Sequence, residues 1–256
     1  ASRSDRNFLA EAVKIAADCG ATVINLPDTV GYAMPEEYGN MFRDVMSQVR
    51  NKDVIFSAHT HNDLGLAAAN ALAAIENGAE QVECTINGIG ERAGNASLEE
   101  VVMAICTRKQ FFNRDTGIRT EMLYPTSQLV SRITNVPVPP NKAIVGDNAF
   151  AHEAGIHQDG VLKNPLTYEI MTPQSVGVDN RRLVIGKHSG RHALHAQCKK
   201  FGVDLTMEEL NDLYNIVINI ADENGEVSER DLKNIVEKFY SYAFVQIRKE
   251  TEGSHF

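Results

Sequence analysis

The first ~110 residues alternate helix-like and strand-like segments with short connections, a pattern that calls for parallel strands covered by helices. Residues 5–19 place Phe8, Leu9, Val13, Ile15 and Ala16 at roughly helical spacing and end at Gly20. Ala21 to Leu26 is short and β-branched, which reads as a strand. Pro35, Glu36 and Glu37 suit a first helical turn, because proline fits there and acids match the positive end of the dipole. That helix should reach Arg50. Val54 to Ala58 and Gln81 to Ile86 read as two more strands, with a helix from Leu64 to Glu76 between them. Ser97-x-x-Glu100 reads as a capping box that opens a helix to Arg108. The order fits either a doubly wound sheet or a β/α barrel.

Past residue 113 the alternation stops. Residues 119–134 look helical, and Pro137, Pro139 and Pro140 form a linker. Residues 146–200 are irregular, with one helix from Gly190 to Phe201. Thr206-x-x-Glu209 and Ser228-x-x-Asp231 open two capped helices. The expected division is a barrel portion over 1–135, a linker subdomain over 136–200 and a small helical subdomain over 201–256.

Composition narrows the function. The chain carries 25 basic against 34 acidic residues, a net −9, which argues against a nucleic-acid partner. No apolar run approaches the ~20 residues of a membrane span. Cys19, Cys84, Cys106 and Cys198 lie far apart with no CxxC pair, so reduced thiols in a cytoplasmic protein are expected rather than a disulfide framework or structural zinc.

The chemistry gathers at strand ends. His59 and His61 flank Thr60, and residues i and i+2 of a strand point the same way. Two imidazoles then leave the carboxyl end of a strand together, where α/β folds place their sites. They either share a divalent metal or hydrogen-bond near a loop. Asn87 to Asn95 is a Gly-rich loop, but its spacing fails the dinucleotide fingerprint. Glu91, Arg92 and Asn95 would turn polar groups to the same mouth, and Asn95 offers a neutral oxygen to a metal shell. The bland alternative for Glu91 and Arg92 is a solvated ion pair. Thr29, after Asp28, either binds a substrate carboxylate or serves a turn. His157, among glycines and acids, is a candidate general base or a surface histidine. Gly186 to Arg191 either holds an anion or is a salt-bridged connection.

The stretch Phe56 to Ala67 resembles the second signature of the isopropylmalate/homocitrate synthase family. Val23 to Tyr32, Asn87 to Glu100, Ala154 to Gly160 and Gly186 to Arg191 resemble further family motifs, in the family's order. The resemblance implies the C-terminal part of a TIM (β/α)8 barrel followed by a mostly helical linker subdomain. It implies a divalent cation (Mn, Zn, Mg or Co) held by His59, His61 and Asn95. Asn25 and Thr29 would contact the substrate, Thr29 at its carboxylate. Glu91 and His157 would carry acid/base catalysis, with the His157 segment reaching the partner barrel of a homodimer. The implied reaction condenses acetyl-CoA with a 2-oxo acid, 2-oxoisovalerate in the best-matched pattern. Homocitrate- or citramalate-forming chemistry, or an inactive fragment, is the alternative.

The family's opening Arg-Asp-Gly motif is absent, and the chain starts at Ala1. The N-terminal barrel strands are therefore expected to lie outside this chain. A half-barrel exposes sheet edges, so activity is expected to depend on them.

Overall fold

Three parallel strands carry the candidate site: β1 (Val23–Asp28), β2 (Ile55–Thr60) and β3 (Gln81–Glu83), in the order β1-β2-β3. The computed structural model describes residues 1–49, 53–150, 170–178, 185–186, 191–224, 226–228 and 230–240. The chain divides into two compact units, the first being Ala1–Gly146 with Ser175–Gly177 and the second Asp147–Gln174 with Val178–Phe256. The α/β class expected from the alternation holds in the first unit.

Helices α1 (Arg6–Asp18), α2 (Pro35–Gln48), α3 (Ala67–Glu76) and α4 (Leu98–Thr107) alternate with the strands. A short α5 (Lys109–Phe112) and α6 (Leu123–Thr134) follow. Asp5 caps α1 by accepting from the Phe8 amide at 3.0 Å. The buried face of α1 is Ala10, Val13 and Ala17; of the expected stripe Val13 is buried and Leu9 and Ala16 pack partly buried against the core, whereas Phe8 is 68% and Ile15 56% exposed. Ala10, Val13 and Ala17, at i, i+3 and i+7, form the face that meets the core, while Phe8 and Ile15 lie to the side of it. In α2, Pro35 sits at the first position with Glu36 and Glu37 in the first turn, as the sequence indicates. Its Tyr38, Met41, Phe42 and Val45 are buried.

Alternation along the strands gives the sheet two unlike faces. Ile24, Leu26, Phe56 and Ala58 join the α2 residues in the main core. Full burial of each large apolar side chain contributes about 1.5–3 kcal/mol. Val23, Asn25 and Pro27, then Ile55, Ser57 and His59, then Gln81 and Glu83 alternate with that set and share the opposite face. The register aligns Asn25, Ser57 and Gln81 in one row and Pro27, His59 and Glu83 in the next. β3 ends at Glu83 rather than Ile86, because the chain turns into a 3-10 segment at Ile86–Gly88 with Asn87 at φ 60°.

The expected capping box at Ser97 does not form. The Ser97 hydroxyl donates to Glu99, which is fully buried and also accepts from the Asn87 amide at 2.8 Å. Glu100 pairs with Lys142 instead of reaching back. Glu99 thus ties α4 to the loop after β3.

In the second unit, α7 (Arg191–Lys200), α8 (Met207–Asn224) and a helix over 230–240 enclose Leu194, Cys198, Leu210, Leu213, Val217, Leu232 and Val236. Strands β4 (Ile185–Gly186) and β5 (Glu226–Val227) pair antiparallel. The Thr206 box is present: Thr206 Oγ1 accepts from the Glu209 amide at 3.3 Å, and Glu209 Oε2 accepts from the Thr206 amide at 2.8 Å. Ser228 Oγ likewise accepts from the Asp231 amide at 3.1 Å. No helix among the described residues is long and apolar enough to cross a membrane.

Candidate functional site

β2 delivers His59 near its carboxyl end, and His61 follows one residue past the strand. Their Nε2 atoms stand 3.0 Å apart, with the rings edge to face. His61 is buried and makes a bridge with Asn95 from the Gly-rich loop. The Asn62 amide donates to the Gly94 carbonyl at 2.9 Å, and the Ala96 amide donates to the Thr60 carbonyl at 3.1 Å. The end of β2 and the Gly-rich loop are therefore stitched together by backbone bonds.

The donor set fits a divalent cation. Ligand nitrogens about 2.1 Å from a metal, at adjacent corners of an octahedron, lie about 3 Å apart, the spacing of the two Nε2 atoms. Asn95 Oδ1 is buried with no hydrogen-bond partner among the described residues, so a neutral oxygen is left for a ligand. His59 Nδ1 lies 2.9 Å from the Glu83 carboxylate, which only accepts, so Nδ1 carries the proton. The neutral ring then presents an Nε2 lone pair. Burial first, with the nearby Arg92 guanidinium adding to it, holds His61 below the ordinary imidazole value and favours its neutral form. Among the described residues no group of three or more His, Cys, Asp or Glu is arranged for a metal. The chain thus offers two imidazoles and an amide oxygen.

The other expected residues that the structure describes lie on the sheet and on the loops after β1 and β3. Asp28 is buried at the end of β1 and accepts from Ser2 Oγ at 2.6 Å and from the Tyr32 and Ala33 amides at 3.2 and 3.1 Å. It shapes the turn that exposes Thr29. Arg92 reaches across to the Thr29 carbonyl at 2.7 Å. Gly31, at φ +58°, packs so closely on Asp63 and the His61 carbonyl that a Cβ has no room. Glu91 is 84% exposed and lies 3.4 Å from Arg92 Nη1, a loose solvated pair. Asn25 Nδ2 donates to Glu83 Oε1 at 2.5 Å, and its Oδ1 is buried without a partner. His157, and positions 187–190 of the Gly186 to Arg191 motif, lie outside the described residues.

Two members of the constellation escape sequence reasoning. Glu83 meets His59 only through the β2–β3 register. Asp63 meets Arg92 only because two loops converge. Strand parity was the available signal for Glu83, since Gln81 and Glu83 alternate with the core-facing Val82. For Asp63 there was none.

Residues 1–130 match the HMGL-like family model, and residues 144–225 match the homocitrate synthase post-HMGL domain-like model. A 2-isopropylmalate synthase of Carboxydothermus hydrogenoformans is 57% identical over 239 residues, covering 93% of this chain and 47% of that protein. One from Aquifex aeolicus is 56% identical over 238 residues, covering 92% and 46%. A solved hydroxymethylglutaryl-CoA lyase of Pseudomonas aeruginosa superposes with a TM-score of 0.46 at 20% identity, covering 52% of this chain and 45% of that one. The chain spans about half the length of the curated relatives it matches. With the family model covering more than half of the chain and the paired histidines at the strand end, the chain belongs to the HMGL-like family.

Proposed function

We propose that this chain carries part of the active centre of a metal-dependent condensing enzyme of the 2-isopropylmalate synthase type, acting in leucine biosynthesis. The reaction joins acetyl-CoA to 2-oxoisovalerate and yields 2-isopropylmalate and CoA. The observation that carries the reading is the His59–His61 pair, Nε2 atoms 3.0 Å apart beside the unpartnered Asn95 Oδ1. The names and high identity of the relatives support the choice of reaction.

His59, His61 and Asn95 would hold the cation. When bound, a divalent cation supplies Lewis-acid polarisation of the substrate ketone. The acetyl methyl group must lose a proton, and the resulting enolate carbon bonds to the ketone carbon. Glu91, exposed at the loop tip, and His157 are the proposed pair that take this proton and return one to the new alkoxide. Thr29 would orient the 2-oxo acid through its carboxylate, with Asn25 on the same sheet face. Water then cleaves the thioester and releases CoA. The active species is proposed to be a cytoplasmic homodimer in which the His157 segment serves the partner subunit's barrel. The domain bounds 1–135, 136–200 and 201–256 remain the proposed division.

The match of residues 144–225 to a homocitrate synthase post-HMGL domain favours homocitrate-forming chemistry as the second reading. CoA thiol release by the full-length enzyme, with the N-terminal barrel strands present, separates the readings when 2-oxoisovalerate, 2-oxoglutarate and pyruvate are compared. Preference for 2-oxoisovalerate is expected. Preference for either other acid overturns the substrate assignment, and no thiol release from any of them overturns the reaction.

A further inference from the structure

We propose that Glu83 is a positioning residue for His59: its carboxylate fixes the imidazole tautomer and ring plane so that Nε2 faces the cation. The proposal rests on the metal reading of His59 and His61.

The parallel register makes His59 and Glu83 direct neighbours on adjacent strands. Glu83 Oε2 lies 2.9 Å from His59 Nδ1. A carboxylate has no proton to give, so it selects the Nδ1–H tautomer and leaves Nε2 as the free lone pair. Without that acceptor the proton can sit on either nitrogen, and the ring can turn about its Cβ–Cγ bond. Of the four combinations of tautomer and ring flip, three point an N–H or a carbon at the cation position.

Glu83 is itself held. Its Oε1 accepts from Asn25 Nδ2 at 2.5 Å. Asn25 Nδ2 also lies 3.4 Å from Ser57 Oγ, and Ser57 Oγ accepts from Gln81 Nε2 at 3.1 Å. The brace spans β1, β2 and β3 and locks a polar row on the sheet face that carries His59. Stability alone is a weak reason for this arrangement. The His59 and Glu83 side chains are 27% and 47% exposed, and partly solvated pairs contribute little. Orientation of a metal-binding imidazole is where such a bond acts most strongly, with losses of about 10–100-fold in metal affinity when the outer partner is removed.

The test is a Mn2+ binding isotherm on the intact protein, read by the EPR signal of free Mn2+, for wild type, Glu83→Ala, Glu83→Gln and His59→Ala. Thermal melts of the metal-free proteins run alongside. Glu83→Ala is expected to weaken Mn2+ binding by about 10–100-fold with little change in melting temperature. Glu83→Gln keeps an acceptor but loses the charge assistance, so it should fall between wild type and Glu83→Ala, at about threefold or more below wild type. His59→Ala should bind no Mn2+ at this site. Wild-type affinity in both Glu83 variants, with binding still lost in His59→Ala, overturns the proposal. If Glu83→Ala does not fold, wild-type affinity in Glu83→Gln overturns it alone. Wild type that takes up no Mn2+ instead overturns the metal reading beneath it.

Discussion

Arg92 grips the Asp63 carboxylate with two hydrogen bonds, Nε to Oδ1 at 2.8 Å and Nη2 to Oδ2 at 3.0 Å. Its Nη2 also donates to the Thr29 carbonyl at 2.7 Å. One guanidinium therefore joins the three loops that follow β1, β2 and β3. Arg92 adopts φ 55°, a left-handed conformation that places it for this reach. Because the clamp is solvent-exposed, Arg92→Ala should barely change the melting temperature. Turnover should fall by about 10²-fold, since misplacing Thr29 and Glu91 by about 1 Å is enough for that loss. Steady-state kinetics with a thermal melt checks both halves.

The same pair sets a pH dependence. The hydrogen bonds from Arg92, more than its charge, hold the Asp63 carboxyl below the ordinary carboxylate value. A depressed folded value means that the pair's stabilisation is fully present above the unfolded value of about 3.9 and is lost as pH falls through the folded one. Thermal melts of wild type and Asp63→Asn from neutral to acid should differ by no more than a small gap, which closes only below about pH 4. A gap that persists to pH 2 would show that Asp63 acts otherwise.

Gly94 turns the loop back toward Asn95 at φ +93°, and a Cβ there would overlap the Gly88 carbonyl oxygen. The Asn95 amide donates to that same carbonyl at 2.9 Å. Gly94→Ala should cost about 1–3 kcal/mol of backbone strain and displace Asn95. Urea unfolding reads the first effect and metal affinity the second.

The β/α order, the Pro35 start of α2, the Thr206 box and the His59–His61 pair were all legible because each depends on local spacing. Other features were not, and each depends on tertiary choice, as does the Asp63–Arg92 pair. Phe8 and Ile15 look like core residues, yet α1 packs through Ala10, Val13 and Ala17. Ser97 looks like a capping partner of Glu100, yet Glu99 takes the hydroxyl because it is buried under the loop. Glu83 looks like an exposed strand-end acid, yet register sets it against His59.

Burial pushes the Cys84 thiol up to about 12, and the Cys198 thiol up to about 11. At pH 8 the reactive thiolate of Cys84 is then about one part in 10⁴. Cys19 is exposed. Iodoacetamide at pH 8 should therefore label Cys19 first and leave Cys84 and Cys198 unlabelled until the protein is denatured. Mass mapping of the labelled peptides checks the order, and early labelling of Cys84 would contradict its packing against the cluster of α3 and α4 residues.

The metal assignment of His59 and His61 is tested most directly with Co2+ as a spectroscopic probe of the intact protein. One Co2+ per chain should bind and give a visible absorption band of imidazole ligation. The band should vanish in both His59→Ala and His61→Ala while the fold, read by circular dichroism, is retained. An unchanged band in either variant, or no Co2+ uptake by wild type, would contradict the assignment.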